Sequence, residues 1–278
     1  MTVINTNSRA LFIQEARAVN ERDLEDAMRQ MSVGKRVTRA ADDPAGLAIG
    51  NKLTGQVRSL EIAIRNANDG VSLLQTAEAG AISLVTLLNR MRELAIQAGN
   101  DTYSTQDRSA LQVEFSGLQT ELGRVLGSTK WNGLSVLKGE LGVSSEVTFH
   151  VGMSSADSIS LTMSSLNSAS LASAQLSAFV SISSRSGAGN ALSTIDAAIE
   201  QIDRSRGLWG AIANRLTFAA DNASNISLSS QAARSAVMDA DYAKATSQLA
   251  RAMILEEAGA AMLSQANQQP YYVLLLLQ

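Results

Sequence analysis

The most regular run of hydrophobic positions in the chain lies between Leu53 and Ala95. Stepping alternately by four and three residues from Leu53, eleven of thirteen positions are apolar. The thirteen positions are Leu53, Val57, Leu60, Ile64, Ala67, Val71, Leu74, Glu78, Ala81, Val85, Leu88, Arg92 and Ala95. An apolar repeat held over six heptads is typical of a coiled-coil helix. Because Asp42-Asp43 followed by Pro44 is a typical helix start, the pattern predicts one helix from Pro44 to about Ala98.

Two more segments repeat this spacing. The first predicts a helix from about Ser104 to Leu126, and in the second, from Leu192 to Ala223, nine of ten stepped positions are apolar. A helix of about 55 residues measures roughly 80 Å, whereas a compact chain of this length is only about 37 Å across. We therefore expect a mainly α fold, an elongated antiparallel helical rod or coiled coil in which the two long helices pack together.

A serine-rich stretch separates the two helical halves. Within it, Val147, Phe149 and Val151 alternate with polar residues, and Ile159, Leu161 and Met163 do the same. These two runs predict a short β-hairpin, with the single histidine, His150, on its polar face. Residues 164–189 are polar and permissive, and we interpret them as a surface excursion.

The two ends of the chain have a different pattern from the middle. The first 31 residues mix apolar and charged positions with poor periodicity, and the last segment, about 241–277, is apolar on more than one face. A helix that is apolar all round must be buried, and a long rod has no interior to bury it. Docking on the chain's own rod is one solution, and we favour cover by other copies of the same chain. The candidate residues for this self-assembly are Leu11, Phe12, Val19, Leu249, Met253, Leu263, Tyr272 and Leu275.

Composition excludes several classes of function. With 23 basic and 26 acidic residues, the net charge of −3 argues against nucleic-acid binding. The absence of cysteine and the single histidine leave little material for a metal site or a nucleophilic relay. The longest apolar run, Tyr271 to Leu277, is too short to cross a membrane, and no signal segment is visible. Taken alone, these features predict a cytosolic protein that is not inserted in a membrane.

The remaining motifs have simpler structural interpretations. We expect Asp42 and Asp43 to stabilise a helix N-terminus rather than to form a catalytic pair. The basic residues Lys35, Arg36 and Arg39 are more typical of a solvated loop than of a phosphate site. Gly187-Ala-Gly189 lacks the third glycine and the preceding strand of a dinucleotide loop. We therefore predict no enzymatic activity, no cofactor and no metal.

Several motifs, in the same order along the chain, resemble those of bacterial flagellin. They are Ile4-Asn-Thr-Asn7, Gly34-Lys-Arg-Val-Thr-Arg-Ala-Ala-Asp-Asp-Pro-Ala-Gly46, Arg65-Asn-Ala-Asn-Asp-Gly70, Arg92-Glu-Leu-Ala95, Trp131-Asn-Gly-Leu-Ser-Val-Leu137, Ala191-Leu-Ser-Thr-Ile-Asp196, Asn214-Arg-Leu216, Asp239-Ala-Asp-Tyr242 and Gln265-Ala-Asn267 followed by Pro270. Together they cover about residues 1–163 and 190–278. The short middle segment is similar to a flagellin without the large outer variable domains.

The resemblance implies a structural subunit of the bacterial flagellar filament, exported through the flagellum's own type III channel, so an extracellular location replaces the cytosolic one. It implies a filament inner core or tube of paired terminal helices from residues 1–40 and 240–278. A helical rod domain would comprise 41–163 and 190–239, with the β-hairpin at about 134–163 and a variable excursion at 164–189.

The resemblance also implies partners. These are other copies of the chain in a helical homopolymer, an export chaperone, the filament cap and the hook-junction proteins. A host Toll-like receptor that senses flagellin would recognise Arg90, Leu94 and Glu114. The alternatives left open are a hook–filament junction protein and a cell-surface polysaccharide-binding protein that resembles flagellin.

Overall fold

A computed structural model describes residues 6–138, 146–154, 156–163 and 180–275, with side chains described as far as residue 268 at the C-terminal end. These residues form five helices and four short strands. The elements are α1 (Ser8–Val33), α2 (Pro44–Ala98), α3 (Thr105–Ser128), β1 (Lys130–Trp131), β2 (Leu134–Ser135), β3 (Glu146–His150), β4 (Ser158–Thr162), α4 (Arg185–Met238) and α5 (Tyr242–Leu275). The chain divides into two compact units. The terminal unit comprises Met1–Gly55 with Ser229–Gln278, and the central unit comprises Gln56–Leu228.

Local capping explains where the predicted helices begin. Oδ1 of Asp43 accepts a hydrogen bond from the Gly46 backbone N–H at 2.8 Å, which caps α2, and Pro44 occupies its first turn. Ser104 and Asp107 form a reciprocal capping box at the start of α3. The predicted range of α2 and the predicted start of α3 are therefore confirmed, and Asp42 and Asp43 lie at a helix start as expected.

About half of the predicted seam positions of α2 are buried in the structure. Every seventh residue of the predicted seam from Leu60 onward is buried, and the buried residues between them lie one position earlier than expected. The buried residues that form this seam are Leu60, Ala63, Ala67, Gly70, Leu74, Ala77, Ala81, Leu84, Leu88, Met91, Ala95 and Ala98; Val57, Leu73, Gly80 and Leu94 of α2 are buried as well. The same displacement occurs in α4, where Ala198, Ser205 and Ile212 are buried in place of Ile199, Arg206 and Ala213.

Charged residues explain this displacement. Nη2 of Arg206 lies 2.7 Å from Oε1 of Glu78, and Nε of Arg92 lies 2.7 Å from Oδ1 of Asp196. Glu78, Arg92 and Arg206 all fall on the predicted seams. In the structure they flank the apolar core, where a charged group keeps contact with water, and they link α2 to an antiparallel α4. The predicted antiparallel packing is confirmed within the central unit.

By length and composition alone, α2 could cross a membrane, because an 18-residue window within it has a mean hydropathy of 1.5. A core helix gives the same signal, and α2 contributes Leu74, Leu84 and Leu88 to the core of the central unit. Of this window, 33% is buried within the protein, so the core accounts for part of its apolar composition.

The predicted hairpin is confirmed as the antiparallel pair β3–β4. Phe149 is paired with Ile159 and Val147 with Leu161, so one face of the hairpin packs on the core. His150 is exposed on the other face, as expected. A β-carbon on Gly70 of α2 would lie 2.9 Å from Phe149, so this glycine lets the hairpin approach the helix closely.

The serine-rich segment is only partly described. Residues 164–179, which make up most of the predicted excursion 164–189, lie outside the described residues. The rest is ordered differently from the expectation, because α4 begins inside it at Arg185. Ile182 is buried just before α4, and its backbone N–H donates to Oε1 of Gln112 at 2.6 Å.

Candidate functional site: the paired terminal helices

A short backbone bridge brings the two terminal helices together. Gly34 ends α1 in the left-handed conformation with φ of 71°, which glycine adopts without strain. The chain then pairs with the segment between α4 and α5. The Arg36 N–H donates to the Met238 carbonyl at 2.8 Å, and the Ala240 N–H donates to the Gly34 carbonyl at 3.0 Å. This bridge places α1 beside α5.

Polar contacts between α1 and α5 show that the two helices are antiparallel. Near the start of α1, Nδ2 of Asn7 donates to the Ala266 carbonyl at 2.9 Å. In the middle, Nδ2 of Asn20 donates to the Ala252 carbonyl at 2.8 Å. At the end of α1, Oη of Tyr242 donates to the Met31 carbonyl at 3.2 Å. The helices therefore keep one register along the whole of α1.

The residues that face each other in this pair are small. The buried apolar positions of the two helices are Ala10, Ala27, Ala245, Ala252 and Ala266. On α5 they recur at multiples of seven residues, and on both helices half-buried residues occupy positions between them. Such a narrow seam allows close approach, but it buries little apolar area.

Most of the large apolar side chains of the pair point away from this seam. We define the outer apolar face as the exposed residues Leu11, Phe12, Val19, Met28, Met253, Ile254, Leu255 and Met262. Phe12 is 76% exposed and Ile254 is 67% exposed. Isolated exposed apolar residues are common on proteins, but eight on one helix pair indicate a surface made to be covered.

The eight candidate self-assembly residues fall into three groups. Leu11, Phe12, Val19 and Met253 lie on the outer apolar face. Leu249 and Leu263 are half-buried at seam positions of α5. The side chains of Tyr272 and Leu275 lie outside the described residues. Met28, Ile254, Leu255 and Met262 are not among the eight. For the three residues of α5, the sequence signal that could identify them is their position outside its heptad of small residues.

The loop between α1 and α2 carries charge pairs rather than an anion site. Oδ2 of Asp42 accepts hydrogen bonds from the backbone N–H groups of Thr38 at 3.0 Å and Arg39 at 2.9 Å. These bonds lower the pKa of Asp42 from 3.8 to about 2. Arg36 lies 3.6 Å from Asp43, and Arg39 lies 3.7 Å from Asp42. The basic cluster therefore belongs to a folded, ion-paired loop.

The three candidate receptor residues are not equally accessible. Nε and Nη2 of Arg90 donate to Oε1 of Glu114 at 2.9 and 2.7 Å, across the exposed surfaces of α2 and α3. This hydrogen bonding raises the pKa of Arg90 above its usual value. Leu94 lies one turn along the same helix and is only 1% exposed. Arg90 and Glu114 thus share one surface patch, whereas Leu94 belongs to the core.

Within the described residues, no group of three or more His, Cys, Asp or Glu side chains could hold a metal ion. The terminal unit offers a helix pair with an exposed apolar face, and the central unit has its own core. These features are typical of a structural protein that assembles with other copies of itself.

Comparison with known proteins identifies the family. Residues 4–141 match the bacterial flagellin N-terminal helical region, and residues 192–277 match the bacterial flagellin C-terminal helical region. A flagellin of Halalkalibacterium halodurans is 37% identical over 99% of this chain and its own full length. The flagellar filament 33 kDa core protein of Treponema phagedenis is 32% identical, again over 99% of this chain and its full length. The crystal structure of Bacillus cereus flagellin superposes with a TM-score of 0.50 at 29% identity, covering 57% of this chain and 88% of that one.

The chain belongs to the bacterial flagellin family. It is a structural subunit of the flagellar filament, an extracellular homopolymer. The full-length matches to filament proteins favour this role over the hook–filament junction and polysaccharide-binding alternatives.

Proposed function

We propose that the outer apolar face of the terminal helix pair is the surface through which each copy binds the next in the filament. The observation that supports this is the exposure of Phe12, Ile254 and six further large apolar side chains on the two terminal helices. Covering one such side chain fully stabilises the assembled state by about 1.5–3 kcal/mol. A second copy presents the same face, so helical stacking of identical chains covers it repeatedly.

Charge placed on the outer apolar face tests this proposal. We expect Phe12→Glu with Ile254→Glu to stop growth on filament seeds, because assembly would then bury two carboxylates without partners. The matched control is Gln14→Glu with Gln248→Glu, which adds the same charge at exposed polar positions of the same helices. Growth is measured by electron microscopy and by sedimentation of the polymer. Normal filaments from the Phe12/Ile254 variant would overturn the proposal.

The same face has a consequence before assembly. An exposed apolar face on free chains invites aggregation, so it needs temporary cover by the export chaperone and release beneath the filament cap. The hook-junction proteins are the expected partners at the base of the filament. The family is structural, and we infer that this chain has no catalytic role.

A second candidate function is recognition by the host Toll-like receptor that senses flagellin. The exposed Arg90–Glu114 pair supports it, with Leu94 acting only by packing beneath the patch. We expect Arg90→Ala to reduce receptor signalling by free monomer. Arg92→Ala is the matched control, because Arg92 is a similarly exposed arginine on the same helix with its own carboxylate partner, Asp196. Equal signalling by the two variants would contradict this assignment.

A further inference from the structure

The apolar seam between α1 and α5 does not by itself define one register. The α5 side repeats small residues every seven positions and larger residues between them. The small set is Ala245, Ala252, Gly259 and Ala266, and the larger set is Leu249, Glu256 and Leu263. If α1 slides along α5 by one heptad, the α1 positions that faced small α5 residues therefore face small α5 residues again.

The lengths of the elements also permit such a shift. α5 continues to Leu275, nine residues beyond the Ala266 contact of Asn7, so a shift toward its C-terminal end keeps α1 fully covered. One heptad corresponds to about 10 Å of helix. The loop from Gly34 to Asp43 can extend to roughly 33 Å, so it can follow the movement once the backbone bridge opens.

One layer of the seam breaks this repeat. Nη2 of Arg17 lies 2.5 Å from Oε1 of Glu256, one turn from the hydrogen bond between Asn20 and the Ala252 carbonyl. A β-carbon on Gly259 would lie 2.8 Å from Cγ of Arg17, so Gly259 makes room for the arginine stem. We name this set the polar layer; its members are Arg17, Asn20, Glu256 and Gly259.

The polar layer is poorly suited to adding stability. The side chains of Arg17 and Glu256 are 33% and 32% exposed, but Nε of Arg17 and Oε2 of Glu256 are buried and have no hydrogen-bond partner among the described residues. Buried polar groups of this kind cost desolvation energy, and their best-attested use in helix pairs is to fix register. In the shifted register Arg17 would face Leu263 and Ala266, and Glu256 would face Leu24. Both charges would then lose their partner.

We infer that the polar layer selects the single register in which α1 pairs with α5. The inference concerns pairing within one chain. It rests on the proposed function only for its consequence, which is that a fixed register presents the residues of α1 and α5 together on one outer apolar face.

Paired cysteines can report the register, because the chain has no native cysteine. The offset of the Asn20–Ala252 contact places Ala27 opposite Ala245 in the observed register and opposite Ala252 after a one-heptad shift. The first reporter is Ala27→Cys with Ala245→Cys, and the second is Ala27→Cys with Ala252→Cys. All three alanines are buried in the seam.

The experiment compares intramolecular disulfide yields of the two reporters in the full-length chain. They are measured by mass spectrometry in seeded assembly mixtures, in both the sedimented polymer and the supernatant. In the parent chain we expect the first reporter to exceed the second by at least about tenfold. In Arg17→Leu with Glu256→Leu we expect the two yields to become similar. The matched control, Arg22→Leu with Glu257→Leu, removes exposed charges off the seam and should keep the preference.

A reversed pair guards against a variant that simply fails to fold. Arg17→Glu with Glu256→Arg keeps opposite charges together only in the observed register, so we expect it to regain the preference. The inference is overturned if the leucine variant keeps the parent preference, or if the reversed pair shows none. Neither result bears on the outer apolar face, whose proposal is tested by filament growth of the Phe12/Ile254 variant.

Discussion

The central unit and the terminal unit differ in the size of the side chains that they bury. The central unit encloses Phe115, Leu84, Leu88, Met91 and other large residues almost completely. The buried apolar residues of the terminal unit are mainly alanines, and the largest of them are Val37 and Met238. The central unit therefore buries a core of large apolar side chains, although Val113, Phe218 and Leu228 on it are exposed, whereas the terminal unit buries almost no large apolar side chain.

This contrast separates folding from assembly. Apolar area removed from water is the main source of stability, so the central unit has what an independently folding core requires. The terminal unit holds its helices together through a narrow seam and a few polar contacts, and its largest apolar side chains face outward. On the proposed function, neighbouring copies supply most of the stabilisation of these helices.

The largest expected effect comes from removing the terminal helices. Deleting residues 1–30 or 245–278 should abolish filament growth, since either deletion removes one side of the helix pair and much of the outer apolar face. The truncated chain should remain a soluble monomer, as judged by light scattering and electron microscopy after seeding. Far-ultraviolet circular dichroism should show that the helices of the central unit are retained. Filaments of normal appearance would contradict the separation of the two roles.

Two phenylalanines, one from each unit, sharpen the comparison. Phe115 is fully buried, so Phe115→Ala should lower the free energy of unfolding of the monomer by about 3–5 kcal/mol. Phe12 is 76% exposed, so Phe12→Ala should change monomer stability by no more than about 0.5 kcal/mol. The measurement is denaturant unfolding of unassembled chain followed by circular dichroism. Phe12→Ala should instead strongly reduce filament growth. A large loss of monomer stability in Phe12→Ala would contradict the difference between the two units.

The sequence predicts the helices of the central unit well, because long heptad repeats and capping residues are local signals. It misplaces half of the seam, because Ile64, Val71 and Val85 are as apolar as the residues that are actually buried. Which of two neighbouring positions faces inward depends on the antiparallel helix α4. Asp196 of α4 pairs with Arg92, and Arg206 of α4 pairs with Glu78.

For the terminal unit the sequence predicts apolar ends that need cover, but not how they pair. Leu249 resembles Leu11 and Phe12 by residue type, yet it lies in the seam while they lie outside it. Leu94 shows the same limit, because helical spacing places it on the face of Arg90 whereas packing buries it. Periodicity identifies which face of a helix is apolar. How closely two helices approach depends on small residues such as Gly259, and the importance of such a residue is visible only when the partner helix is in place.

Acid should affect the loop of the terminal unit before the core of the central unit. The pKa of Asp42 falls from 3.8 to about 2 on folding, so its contribution to stability is present above pH 4 and is lost as the pH falls toward 2. Protonation weakens the hydrogen bonds from the Thr38 and Arg39 amides. Hydrogen exchange, corrected for intrinsic rates, should show their protection decreasing across this range, while amides around Leu84 keep theirs. Asp42→Asn should remove the pH dependence, and unchanged protection in the parent chain would contradict this explanation.

The smallest expected effect compares one substitution in both units. Gly123 of α3 has open space around it, so Gly123→Ala should stabilise the central unit by about 0.4–1 kcal/mol, since alanine loses less backbone freedom on folding. Gly259 of α5 is also helical, but its β-carbon would lie 2.8 Å from Arg17. Gly259→Ala should therefore bring no such gain, because the arginine must move from Glu256. Thermal unfolding reports the first variant and hydrogen exchange of the α5 amides reports the second. Equal stabilisation at both sites would mean that the terminal seam is loosely packed, and the contrast between the units would then lie only in the size of their side chains.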